Sequence, residues 1–203
     1  MATLGQAKTL GGVGAILVLL SFVPYAGSVL SIIGFILILI AVKYISEVIG
    51  DPKVFNNMII AVVLAIVGLA VGAVVVFGAL YSFIGLGSIG SLTPGTVPSG
   101  GLAGFIAALI IGLVVIWIFY LVASIFLKRS YDTIATRLNV GSFHTAGLLY
   151  LIGAALTIII VGIIIIFIAV ILQIVAFFSI PEQTPMGPQP MPGQMGPPPS
   201  GTM

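Results

Sequence analysis

The side chains able to do chemistry are few: six Lys or Arg, four Asp or Glu, one His and no Cys in 203 residues. Without cysteine, disulfides, thiolate nucleophiles and thiolate metal sites are excluded. His144 lies two residues from Ser142, in "NVGSFHT". A Ser–His pair does acyl chemistry only with an orienting carboxylate and donors for an oxyanion, and no such set is indicated. A metal site needs several converging ligands, and His144 has no second His. Its expected role is an interfacial residue packed beside Phe143. The tripeptide "GDP" at 50–52 is no nucleotide motif. The pattern points to a protein that is not an enzyme and uses no cofactor or metal.

One strongly polar residue stands inside an apolar run: Gln173, in "FIAVILQIVAFF". On a helix it shares a face with Ala169 and Ala176. It either bonds across helices or lines a pore. The long apolar runs hold no Asp, Glu, Lys, Arg or His. Proton-coupled carriers usually keep such a group at mid-depth. An ion-coupled carrier is therefore disfavoured, and a passive pore is not.

The elements that position these residues are membrane helices. Mean hydropathy is +1.39 and only 5% of residues are charged, against about 25% in soluble domains. Several runs exceed the roughly 18 apolar residues of a spanning helix. No alternation of a barrel strand appears. The fold class is all-α, a polytopic membrane bundle of about six helices. Two short-helix hairpins flank a central helix pair. A formal charge of +2 does not suggest nucleic acid as a partner.

Residues 10–42 and 146–180 are too long for one crossing each. A single helix over 10–42 would reach roughly 50 Å, against a hydrocarbon core of about 30 Å. Read as hairpins, they put every Lys and Arg on one side, with both termini cytoplasmic under the positive-inside rule. Pro24 and Gly27, in "SFVPYAGSV", and Gly162 are the expected hairpin tips. Helices are expected near 10–24, 27–45, 52–82, 102–129, 145–161 and 163–180. Residues 1–9 form a cytoplasmic N-terminus, 10–180 the transmembrane domain and 181–203 a disordered, Pro/Gly/Met-rich cytoplasmic tail. A signal-peptide cleavage after Ala26 is disfavoured, because Pro24 sits where a small residue is wanted. "TLGGVGAILVLLSFVPYAG" and "TAGLLYLIGAALTIIIVG" fit either a duplicated hairpin or the general likeness of apolar helices.

In "GDP", Gly50 can close one helix, Asp51 can cap the next and Pro52 fits its first position. Small residues recur at helical spacing: Ala61, Ala65, Gly68 and Gly72 on one stripe, Gly104, Ala108 and Gly112 on another. Such stripes let helices approach closely in lipid, and are read as packing faces. Trp117, near the middle of the fourth helix, is read as filling a packing gap. Residues 130–139 can form an amphipathic helix that either extends the preceding helix or lies on the lipid surface. Lys43, Glu47, Asp51, Lys53, Lys128, Arg129 and Arg137 form a belt that either sets topology or meets headgroups or a partner.

"GGVGAILVLLSFVPYAGSVLSIIGFILILIAVKYIS", then "GDPKVFNN", then "FHTAGLLYLIGAALTIIIVGIIIIFIAVILQIVAFFSIPE" resembles the domain-of-unknown-function family numbered 996. The resemblance covers most of residues 9–182, without the 85–101 loop and the tail. It implies a multi-span protein of a prokaryotic, largely archaeal, cytoplasmic membrane. It implies no activity and no catalytic residues. The expected function is a non-catalytic scaffold or membrane-organising protein. The alternative is a passive channel or small-solute transporter. Expected partners are membrane lipids, a second copy or another membrane protein.

A cysteine at Ala26, in a chain with none of its own, tests the hairpin reading. It should react with an impermeant reagent from the side opposite Lys43. Protection from that side would mean the first hairpin only wedges into one leaflet.

Overall fold

Six helices follow one another among the described residues, which are 3–22, 27–83, 101–159 and 161–182 of a computed structural model. They are α1 (Leu4–Leu19), α2 (Gly27–Ile49), α3 (Pro52–Phe83), α4 (Gly101–Leu138), α5 (Gly141–Leu156) and α6 (Val161–Phe178). Short 3₁₀ turns, Leu20–Phe22 and Thr157–Ile159, extend α1 and α5. Five helices are long and apolar enough to cross a membrane, and α1 is shorter. The chain is thus all-α, of the membrane class that its composition indicates.

Local chemistry sets the helix ends. A reciprocal cap starts α1 at Leu4, earlier than the expected residue 10. Thr3 Oγ1 accepts from Gln6 N at 3.2 Å, and Gln6 Oε1 accepts from Thr3 N at 3.3 Å. Most of the expected N-terminal segment 1–9 is therefore helix. Gly50 has φ +67°, and Asp51 N donates to Ser46 O at 3.1 Å. Asp51 Oδ1 then accepts from Lys53 N at 3.0 Å, and Pro52 opens α3. The α4–α5 turn repeats this device. Asn139 has φ +55°, and Val140 N donates to Ala135 O at 3.0 Å. Both are left-handed closures that satisfy the last helix carbonyls.

Helix α4 runs to Leu138 without a break, so residues 130–138 extend the membrane helix rather than lying on a surface. The reason is burial. Tyr131, Ile134 and Leu138 enter the core, and the buried Ser130 Oγ donates to Val54 O of α3 at 2.8 Å.

Each helix packs on its neighbours in sequence, and α1 packs on α6. The result is a closed antiparallel ring. All described charges lie at one end of it, near the α2–α3 and α4–α5 turns and the free ends of α1 and α6. We call this the charged end.

Glycine governs how closely the helices meet. A Cβ on Gly14 would lie 2.6 Å from Gly34 O. One on Gly72 would lie 3.3 Å from Gly112 O, and one on Gly153 3.1 Å from Gly162 O. Each hairpin thus carries one glycine–glycine crossing. Phe177 and Phe178 of α6 lie over Gly11 and Gly12 of α1 and close the ring. Gly162 is the second residue of α6 and packs there, so the bend precedes it. Gly27 begins α2 against Ser21. Pro24 lies outside the described residues.

Helices α3 and α4, of 32 and 38 residues, reach ~48 and ~57 Å. Helices α1, α5 and α6 have 16, 16 and 18 residues, or ~24–27 Å. The long pair outreaches the ring at the uncharged end. Its flanks are apolar and open, with Val74 74% and Leu113 63% exposed. Such faces call for lipid.

The stripes split accordingly. A Cβ at Gly68 or Gly72 would strike Phe119 or Ile116 of α4, whereas one at Gly104 would meet nothing within 4 Å. Gly72→Ile should therefore lower stability in detergent by about 1–3 kcal/mol, the usual effect of overpacking. Gly104→Ile should change it by less than about 0.5 kcal/mol. Thermal unfolding of the two variants checks this, and equal losses would show that Gly72 does not face α4.

Candidate functional site

All six helices line one central cavity of about 250 Å³. Val18, Phe35, Ala65 and Ile166 line it nearer the uncharged end. Nearer the charged end its lining includes Ser124, Tyr131, Tyr150 and Gln173. Tyr120 of α4 also contributes. Ala61 and Ala65, grouped by spacing with Gly68 and Gly72, face this cavity. Ala108 is half-buried on α4, and Gly112 packs against Val76.

The polar groups differ in how they are satisfied. Gln173 is 3% exposed, and its Oε1 accepts from the Tyr150 hydroxyl across α5 and α6. Ser124 Oγ donates to Leu121 O of its own helix at 2.7 Å. Tyr131 is fully buried, and its hydroxyl has no partner among the described residues. Leaving such a group unpaired costs about 1–3 kcal/mol. Among the described residues no charged side chain lines the cavity.

The charged end below the cavity is packed shut. Tyr131, Phe143 and Phe177 form an edge-to-face series, with ring centroids 5.4 and 5.1 Å apart. Phe177 reaches Gly11 of α1, so the series spans four helices. Leu4, Ile45, Val54 and Met58 complete a core drawn from all six helices. Trp117 Nε1 donates to Ala154 O at 3.0 Å and joins α4 to α5.

Ion pairs rim this end. Arg137 meets Asp51 at 3.7 Å, Lys8 meets Glu182 at 3.9 Å and Lys43 meets Glu47 at 3.9 Å. Asp132 joins Lys128 of its own helix to His144 of α5, with His144 Nδ1 2.7 Å from Oδ1. His144 thus has a carboxylate as hydrogen-bond partner, where the sequence reading gives only packing beside Phe143. Arg129 lies over the Phe126 ring, 5.4 Å from its centroid. Lys53 is exposed on the first turn of α3. Among the described residues no three His, Cys, Asp or Glu converge as metal ligands.

The sequence pattern singled out neither Tyr131 nor Tyr150 for the site. A signal was available for Tyr150, which sits in an apolar run one helical turn from Gly147 and Gly153. Tyr131 lies within the amphipathic stretch 130–139, and only the fold shows that its hydroxyl lacks a partner among the described residues.

Fold and cavity together define an all-α membrane bundle built around an internal pocket. The family described as "Protein of unknown function (DUF996)" matches residues 30–171, and the chain belongs to that family. "Uncharacterized protein MJ1644" of Methanocaldococcus jannaschii is 38% identical over 179 residues. The match covers 88% of this chain and 94% of that one. No solved structure matches the chain.

Gln173→Leu should lower stability by about 1 kcal/mol, in line with hydrogen bonds between membrane helices. Adding Tyr150→Phe should recover part of that loss, because both partners are then apolar. Unfolding titrations in mixed micelles measure the cycle. Strictly additive losses would show that the two side chains do not interact.

Proposed function

We propose that the protein is a non-catalytic, non-conducting integral protein of an archaeal-type cell membrane, acting as a scaffold that organises lipid or a membrane partner. Both termini are cytoplasmic, because the charged end carries every described Lys and Arg and follows the positive-inside rule. The observation that carries the reading is the six-helix core at that end. Tyr131, Phe143 and Phe177 fill the position where a conducting path would have to continue. The apolar runs also lack an ionisable group, which ion-coupled transport usually requires. Lys53 and Arg129 are exposed at the charged end and would meet the lipid headgroups there, where each basic residue contributes about 1 kcal/mol to binding anionic lipid. Partners are therefore lipids, a second copy or another membrane protein, and not nucleic acid.

The central cavity and Gln173 are what favour the competing reading of a passive channel. Flux separates the two. Proteoliposomes holding the purified protein should pass potassium, protons and glycerol no faster than empty vesicles. Reproducible flux that Gln173→Leu abolishes would establish the channel instead.

A further inference from the structure

We propose that the central cavity binds the head of a neutral membrane amphiphile that carries a carbonyl acceptor, with Tyr131 as the hydrogen-bond donor. This goes beyond the scaffold reading and does not depend on it, since a bound amphiphile suits a scaffold and a channel equally. Four observations carry it.

The first is size. At about 250 Å³, the cavity exceeds the ~150 Å³ that accepts benzene and falls short of the ~300–1,000 Å³ typical of whole-ligand pockets. It suits one substituted ring or a comparable head. A longer tail has to leave it.

The second is the exit. Among adjacent pairs in the ring, α2 and α3 touch least. Phe35 of α2 is the most exposed of the lining side chains, at 36%. A tail leaving there enters the hydrocarbon of the bilayer, so the bilayer is the source of the ligand.

The third is polarity. Tyr131 lines the cavity, and its buried hydroxyl has no partner among the described residues, whereas the Tyr150 hydroxyl already donates to Gln173. A buried donor is rarely left unused, and a carbonyl oxygen would satisfy it. Tyr131, Tyr150 and Gln173 gather toward the charged end of the cavity, and apart from Tyr120 the lining beyond is apolar. That gradient matches a molecule with a polar head and an apolar tail.

The fourth is charge. Among the described residues no ionic side chain lines the cavity, so a charged head would be buried without a counter-ion, at high cost. The head is therefore neutral.

The test uses the full chain in detergent and a para-benzoquinone carrying a decyl chain. Trp117 is the sole tryptophan and lies three residues from Tyr120, so a bound quinone should quench its fluorescence. The chain has no cysteine to form a thiol adduct. Quenching should saturate, and Tyr131→Phe should weaken binding about tenfold, the effect of one lost hydrogen bond. Ala65→Phe, which fills the cavity, should abolish saturable quenching. Thermal unfolding checks that both variants are folded, and the near-isosteric Tyr131→Phe decides the matter alone if Ala65→Phe is not. Unchanged affinity in Tyr131→Phe would overturn the proposal, as would saturable quenching that survives in folded Ala65→Phe. Thermal stabilisation of the wild-type chain, compared across probes, adds a check on the head. Decylbenzene stabilising as strongly as the quinone would reduce the site to a slot for apolar chains. Stronger stabilisation by decyl phosphate would assign it to an anionic head.

Discussion

In lipid, one apolar helix gains little from touching another in place of acyl chains, so association rests on how closely the backbones can meet. This bundle meets that constraint with glycine. Gly14 faces Gly34, Gly72 faces Gly112 and Gly153 faces Gly162, one crossing in each hairpin. With the three hairpins set, the ring needs only lateral joints. Phe177 and Phe178 over Gly11 and Gly12 supply one. Gly147 against Lys128 and Tyr131 supplies another. The aromatic residues lie where glycine has removed a side chain, so large and small groups interlock as dense packing requires.

The charged end and the cavity are two results of the same arrangement. At the charged end, tight turns hold α2 to α3 and α4 to α5, and Ser130 bonds Val54. The helices are held close there, and side chains from all six meet. Toward the middle the short hairpins and the long pair leave about 250 Å³ unfilled. The surface ion pairs add little energy individually. Arg137–Asp51 and Lys8–Glu182 nonetheless join segments far apart in the chain.

Features that depend on local order were legible in the sequence. The "GDP" turn, the helical class and the one-sided placement of charge follow from residues close in the chain or from hydropathy alone. Helix α1 begins six residues before the expected position, because the Thr3–Gln6 cap starts it within an otherwise polar opening. The ring's inner lining was not legible for a physical reason. These helices are apolar on nearly every face, so no polar stripe shows which side turns inward. Spacing could group Ala61 with Gly72, yet the first faces the cavity and the second faces α4. The Gly14–Gly34 and Tyr150–Gln173 contacts depend on how two helices are rotated against each other, which no local pattern records. Gln173 was conspicuous because it was polar in an apolar run. Its partner Tyr150, half apolar itself, was not.

The unequal helix lengths have a consequence for the surrounding bilayer. The apolar parts of α3 and α4 stand roughly 10 Å taller than the helices on the opposite side of the ring. Lipid touching the tall side must stretch while lipid touching the short side must compress, at fractions of a kcal/mol for each ångström of mismatch. One molecule thus sets a gradient of membrane thickness across its own width. That elastic load makes every in-plane orientation of the protein unequal wherever the bilayer itself changes height, so the membrane can steer the protein with no specific contact at all.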